Sequence, residues 1–449
     1  MDGFRCEGPR REGSVVKGVA AQNSPRRLQV DRTILSNAVS FFGATAATAT
    51  LGFAYSFFAD RLFGKDAFGL AQAGVSAMML LGGLGLLGLT TLLVGELPRA
   101  RTQPGRLITA ALAVSGLAGA LLGWLFCFLA PLVSPELGSL VASPLGKLLF
   151  TLGVILTTVT QVFDYAMVGL LRSNLQLWRN ILASSVRVGA LWLAVFYQGP
   201  LQIVALLVVS TWTLGHIVSL VLLGAALRAR GERVWWRPDW SAMRDLKAAA
   251  LSHHALNISW QAPSWVFPLL VTAFLGASFN ASFYVAWMMF FLVFKVTESL
   301  TTVLYAVNAA DTSLLAQKMR FTLKTSLALT VLASLVVLPV APFALGLFGE
   351  TYAQEATGAL RLLVLGVLAL IVKMHFLAVS QVQRRIARAT RYMAAGAVLE
   401  IVLAALGVTW GGMTGLALGI VIAQVIEAAV MAPTVLGALR GQPRLATAS

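Results

Sequence analysis

Long apolar runs separated by short polar or charged segments dominate the chain. They fall at about 33–57, 67–94, 107–131, 146–170, 178–197, 201–226, 248–273, 280–306, 321–347, 357–380, 392–409 and 412–437. Each approaches the roughly 20 residues that carry a helix across the hydrocarbon core. A helix is the form such a run takes there, because it satisfies its own backbone hydrogen bonds where no water can. The pattern predicts an all-α integral membrane protein with about twelve transmembrane helices. Residues 1–32 differ: they are polar, of mixed charge, and hold no apolar stretch long enough for a signal-peptide core. They are expected to be a disordered cytoplasmic tail.

Composition agrees with the pattern. The 449 residues are 58% apolar and 12% charged, against about a quarter charged in an ordinary soluble domain. The net charge of +16 would suit a nucleic-acid surface only if it lay on a water-facing stripe, and most of this chain is too apolar to present one. The charge instead sets orientation. With the N-terminus inside, 27 of the 34 Lys and Arg fall in the tails and alternate loops predicted to be cytoplasmic. The opposite loops keep Arg61, Lys65 and Lys147, with Arg361 at a helix mouth. The positive-inside rule then places both termini in the cytoplasm of a multi-pass plasma-membrane protein, its basic inner face touching anionic lipid.

The longest predicted inner loop, 227–247, divides the chain into a six-helix lobe at 33–226 and another at 248–437, with a second tail at 438–449. Its Trp235-Trp236-Arg237-Pro238-Asp239-Trp240 reads as an interfacial anchor or a short soluble hairpin. The lobes echo each other. Leu62-Phe63-Gly64 and Phe68-Gly69-Leu70-Ala71 match Phe274-Leu275-Gly276 and Phe283-Tyr284-Val285-Ala286 at offsets of 212 to 215. The basic exits Gly169-Leu170-Leu171-Arg172-Ser173-Asn174 and Ser380-Gln381-Val382-Gln383-Arg384-Arg385 match at 211. Both lobes keep one orientation, as in a parallel repeat.

Charges at membrane depth are the candidate chemistry, since each one costs roughly 2.5–3.5 kcal/mol to insert. Arg187, Lys295 and Lys373 lie on three different helices, and together they would form an inner-facing basic chamber for an anionic headgroup such as a diphosphate. Asp164 and Glu298 are candidates for ion or proton coupling. Each also has a structural reading: Lys295 with Glu298 as an i, i+3 pair, Asp164 with Arg187 across consecutive helices, and the cations as snorkelling side chains. His216, His375, Glu400 and Glu427 suit packing or hydrogen bonding equally well and are left out of the site. Pro263 and Pro268, among Asn257, Ser259, Gln261 and Ser264, mark a bend in the seventh span that reads as a gate or a static kink. The spaced Gly411, Gly415, Gly419 and Ala423 read as close packing.

No phosphate-cradling Gly-Lys-Ser/Thr loop, His-Glu-x-x-His or nucleophile elbow is present, so no enzyme, cofactor or metal site is expected. Cys6 and Cys127 form no disulfide framework.

Twelve spans in two halves, Leu275-Gly276 followed by Asn280-Ala281-Ser282-Phe283-Tyr284-Val285-Ala286-Trp287, Arg61-Leu62-Phe63-Gly64 with Phe68-Gly69, Gly169-Leu170-Leu171-Arg172 with Leu175-Gln176-Leu177-Trp178-Arg179, and Leu347-Phe348-Gly349 before Tyr352 carry a resemblance. Over about 33–437 the chain resembles the bacterial polysaccharide-export branch of the multidrug/oligosaccharidyl-lipid/polysaccharide flippase superfamily. The resemblance implies two six-helix bundles rocking around a central cavity. It also implies a substrate of lipid-linked oligosaccharide on polyprenyl diphosphate, moved from inner to outer leaflet, with glycan polymerases or glycosyltransferases as partners. Drug-extruding relatives typically carry an acid in the first helix, and this chain has none between Thr33 and Phe58. A cation-coupled small-molecule exporter of the same fold is the alternative. A membrane-embedded glycan polymerase or ligase ranks below it, because the predicted outer loops are short.

Overall fold

The computed structural model describes residues 50–97, 104–197, 199–231, 237–308 and 315–440. The expected tail 1–32, the first span up to residue 49, Trp235, Trp236 and the end of the chain from 441 lie outside the described residues.

The described residues are helical throughout, with no strand among them. Helix α1 covers 50–63. It is followed by α2 (Lys65–Gly85), α3 (Leu89–Glu96), α4 (Pro104–Val133), α5 (Pro135–Leu140), α6 (Pro144–Gly169) and α7 (Ser173–Ala194). Then come α8 (Leu201–Ala229), α9 (Trp240–Leu275), α10 (Ala277–Asn308), α11 (Leu315–Gly346), α12 (Glu350–Val382) and α13 (Ile386–Leu439). Among the described residues, nine helices are long and apolar enough to cross a membrane. The lipid-facing flanks are legible: α4 exposes Leu117, Leu121 and Leu132, and α11 exposes Leu332, Leu335 and Phe343. Surfaces of that kind are stable against hydrocarbon and not against water.

The turns follow from local chemistry. Gly64 (φ 82°) separates α1 from α2, and Gly276 (φ 97°) separates α9 from α10. A single left-handed residue reverses the chain at each, which glycine does without steric penalty. At the other end of the molecule two basic turns share one geometry. Leu171 (φ 57°) and Arg384 (φ 56°) both adopt the left-handed region. Arg172 N donates to Met167 O at 2.8 Å and Arg385 N donates to Ser380 O at 2.8 Å, closing each helix end in the same way. Their register is 213 residues, so the sequence echo at 211 is displaced by two.

Small residues decide the closest crossings. Helix α13 is two arms joined by non-helical backbone at Gly411 (φ −138°) and Gly412 (φ 56°). The arms run antiparallel, because Gly407 meets Gly415 and Leu403 O meets Gly419. A Cβ added at Gly415 would lie 2.1 Å from Gly407 O. The glycine spacing therefore does pack helices, as expected. Gly69 on α2 does the same against α10: a Cβ there would lie 1.8 Å from Ala277 O, and Asn280 Nδ2 donates to Gly69 O at 2.8 Å.

Gly69→Val should lower the melting temperature of the detergent-purified protein by several degrees, since overpacking costs at least about 1–3 kcal/mol. Gly224→Val, where nothing lies within 4 Å, should leave it unchanged. Equal melting temperatures would mean that the α2–α10 contact does not hold.

Candidate functional site

Helices α1, α2, α8, α9, α10, α12 and α13 line a cavity of two adjoining lobes. The larger, about 490 Å³, is walled by Val75 and Met79 of α2, Trp212 of α8, Trp265 and Pro268 of α9, and Tyr284 of α10. The smaller, about 280 Å³, is walled by Trp260 and Pro263 of α9, Glu298 of α10, Leu370 of α12, and Glu400 and Gln424 of α13. Trp265, Trp287 and Lys295 face both lobes. A hollow of about 720 Å³ between α1, α10, α11 and α12 adjoins the larger lobe at Phe53, Met289 and Leu292. Its lining is aliphatic apart from Ser299 and the ring of Phe53.

Pro268 lines the larger lobe and Pro263 the smaller one. Helix α9 stays helical through both. Each lacks the N–H that would bond the carbonyl four residues back. Side-chain hydroxyls occupy the neighbouring carbonyls: Ser264 Oγ donates to Gln261 O at 2.7 Å and Thr272 Oγ1 donates to Pro268 O at 2.9 Å.

The three predicted cations do not meet in one chamber. Lys295 lines both lobes and pairs with Glu298 one turn on. Arg187 lies behind the wall. Its guanidinium stacks 3.6 Å from the centroid of the Trp212 ring, and Nη2 lies 3.2 Å from His216 Nε2. Lys373, 2% exposed, is held by Glu400 Oε1 at 2.9 Å and Glu427 Oε2 at 2.6 Å. Its ammonium is neutralised inside the protein and so is not a free cavity charge.

The coupling candidates are also placed. Asp164 pairs with Arg179 and not with Arg187: Nε donates to Oδ1 at 2.6 Å and Nη2 donates to Oδ2 at 2.5 Å. Arg179, one of the 27 basic residues expected in the inner loops and tails, is 3% exposed. Its Nη1 lies 3.4 Å from His216 Nδ1. His216 therefore stands between two guanidiniums, and a neutral imidazole accepts from only one of them. Arg179, His216, Glu400 and Glu427 are the buried partners that sequence reasoning missed. For His216, Glu400 and Glu427 the available signal was the depth of a polar group within an apolar run.

At the end where α1 turns into α2, a polar clasp joins α1, α2, α10 and α12. Lys65 Nζ meets Glu355 Oε2 at 2.6 Å, and Ser282 Oγ donates to the same oxygen at 2.7 Å. Tyr352 OH donates to Asp60 Oδ1, and Arg61 Nη2 donates to Leu347 O at 2.9 Å. Phe348 packs edge-on against Phe53 and Phe57. The Leu347-Phe348-Gly349 and Tyr352 segment singled out in the sequence is thus the strap that ties α12 to α1.

The sequence pattern of one family, described as polysaccharide biosynthesis protein, matches residues 34–279, more than half of the chain. The chain belongs to that family. Among solved structures, this family member is similar to an inward-facing multidrug-resistance MATE transporter of the MOP superfamily, with a TM-score of 0.66 and 15% identity, covering 88% of this chain and 96% of that one. It is also similar to a MOP superfamily transporter from Pyrococcus furiosus described by the reversed polarity of its binding pocket, with a TM-score of 0.62 and 14% identity, covering 91% and 96%. An outward-facing MATE transporter aligns at a TM-score of 0.59 and 14% identity, covering 96% and 100%. No curated protein sequence matches. The family and the shared fold bear out the resemblance to the MATE-like polysaccharide branch read from the residues.

Asp164→Asn leaves Arg179 buried without its carboxylate and should destabilise the protein by about 3–5 kcal/mol. The double variant Asp164→Leu/Arg179→Met should recover most of that loss in thermal unfolding. A double variant as unstable as the single one would show that the pair does more than neutralise itself.

Proposed function

We propose that this multi-pass membrane protein is a transporter that moves a lipid-linked oligosaccharide, of the polyprenyl-diphosphate type, from the inner to the outer leaflet of the plasma membrane for cell-surface polysaccharide synthesis. It works by alternating access and not as an enzyme. The observation that carries this reading is the joining of two unlike spaces. An aromatic cavity bearing Lys295 opens, at Phe53, Met289 and Leu292, onto an aliphatic hollow. Sugar rings and a diphosphate suit the first, since tryptophan faces stack on planar or apolar ring surfaces and an ammonium attracts phosphate. An isoprenoid tail suits the second. The two are covalently joined in such a lipid, and on α10 Leu292 and Val296 of the hollow flank Lys295 of the cavity.

The same reading takes α1, the α2–α3 pair, α7 and the two arms of α13 as spans, giving the twelve read from the sequence in two halves with both ends cytoplasmic. The matched turns at Leu171 and Arg384 support the parallel repeat. Residues 33–226 and 248–437 are then the lobes, the Lys65–Glu355 clasp is the outer closure, and α9 with Pro263 and Pro268 is the moving gate. The cytoplasmic cations hold anionic lipid, and glycosyltransferases or a glycan polymerase supply and receive the substrate. In this site Lys295 meets the diphosphate, while Arg187 acts through the ring of Trp212.

Glu298 and Glu400 on the smaller lobe favour a second reading, export of small organic cations, since carboxylates and tryptophan faces both attract cations. Reconstitution separates the two. Lys295→Glu and Trp265→Ala should each cut the leaflet-to-leaflet movement of a fluorescent polyprenyl-diphosphate sugar at least tenfold, while Lys295→Arg should retain most of it. Unchanged movement in all three, with altered efflux of a cationic dye, would favour the exporter.

A further inference from the structure

Among the carboxylates described inside the spans, charge counting singles out one site. Asp164 is matched one-to-one by Arg179, and Glu298 by Lys295. Lys373 is matched by two carboxylates, Glu400 and Glu427, at 2.9 and 2.6 Å. All three side chains are nearly closed to solvent, at 2%, 6% and 4% exposed. Fully ionised, the trio carries one surplus negative charge in a medium where an unmatched ion costs several kcal/mol. Glu427 Oε1 has no hydrogen-bond partner, and neither has Gln424 Oε1 one turn away on the same arm. Gln424 and Glu400 line the smaller lobe of the cavity together.

We propose that Glu400 and Glu427 share one bound proton around Lys373, making this trio the protonation site of the protein. The ligand is a proton and not a metal ion for two reasons. The Lys373 ammonium already occupies the space between the carboxylates. On its other side the Glu427 carboxyl is packed on Gly396, where an added Cβ would lie 2.5 Å from its carbon. A metal ion needs several oxygens around it, and among the described residues no group of three or more His, Cys, Asp or Glu could hold one. A proton restores neutrality without a coordination shell. Around the trio stand Trp260 of α9, whose ring lies 5.4 Å from Lys373 Nζ, and the Lys295–Glu298 pair of α10 across the smaller lobe. His375 of α12 turns toward α11, with Nε2 at 3.1 Å from Thr322 Oγ1.

The trio ties three helical segments, since Lys373 is on α12 and the two glutamates are on opposite arms of α13. Loss of the proton puts back a negative charge that Lys373 cannot match and that faces the lobe through Glu400. Coupling of this step to substrate movement rests on the transport reading above; proton binding does not.

Infrared difference spectroscopy on the full-length protein in liposomes tests the site. The wild type should show the carbonyl stretch of a protonated carboxyl at neutral pH. Glu427→Gln and Glu400→Gln, each leaving a one-to-one pair with Lys373, should each remove that band, and Lys373→Met should enlarge it. A band unchanged in both glutamine variants overturns the proposal. So does its disappearance from the wild type on adding sodium at constant pH, which would assign the surplus charge to a metal ion. A band lost in the glutamine variants, in a protein that moves no polyprenyl-diphosphate sugar, upholds the proton site and sinks the transport reading.

Discussion

A charge inside a membrane has to be matched, and the interior of this protein is organised by that requirement. Water solvates a free carboxylate or ammonium far better than any helix bundle does, so a buried ion persists only with a partner within hydrogen-bond reach. Three such matchings stand in the described interior, while Arg187 rests on the Trp212 ring and beside His216. Asp164 with Arg179 joins α6 to α7, Lys295 with Glu298 stays within α10, and Lys373 with Glu400 and Glu427 joins α12 to both arms of α13. Breaking any of the interhelical pairs separates helices as well as charges.

Close helix approach makes that matching possible. Short side chains such as Asp reach a partner only where backbones lie near one another, and glycine is what lets them do so. The hairpin of α13 shows the dependence. Gly407 against Gly415 and Gly419 against Leu403 O draw the arms together, and Glu400 and Glu427 then converge on one lysine. Polar function and small-residue packing are therefore one design at this point in the molecule.

The cavity shows what remains once the charges are matched. Its walls carry many rings, with Trp212, Trp260, Trp265 and Trp287 from three helices, and Lys295 stands among them partly exposed. Among the described residues Lys295 is the one cation on that lining. That differs from the basic chamber expected from the sequence, because two of the three expected cations are engaged behind the wall. Arg187 shapes Trp212 from the rear, and Lys373 answers carboxylates.

By itself the sequence determined the class of the protein, the positions of most helices and the turns. Those follow from local quantities: run length against bilayer thickness, glycine where φ must be positive, and charge at helix ends. It also singled out Pro263, Pro268 and Lys295, which line the cavity, without showing what they do there. It did not pair the buried charges. Asp164 had several cations within a helix turn or two in depth, and choosing Arg179 over Arg187 depends on how α7 is rotated against α6 and α8. Glu400 and Glu427 looked unremarkable because Glu400 lies 27 residues from Lys373 along the chain and Glu427 another 27 beyond it. Only the fold-back at Gly411 and Gly412 brings them together. Helix rotation and interhelical contact are properties of the whole packing, set by many side chains at once, and there the tertiary structure alone decided.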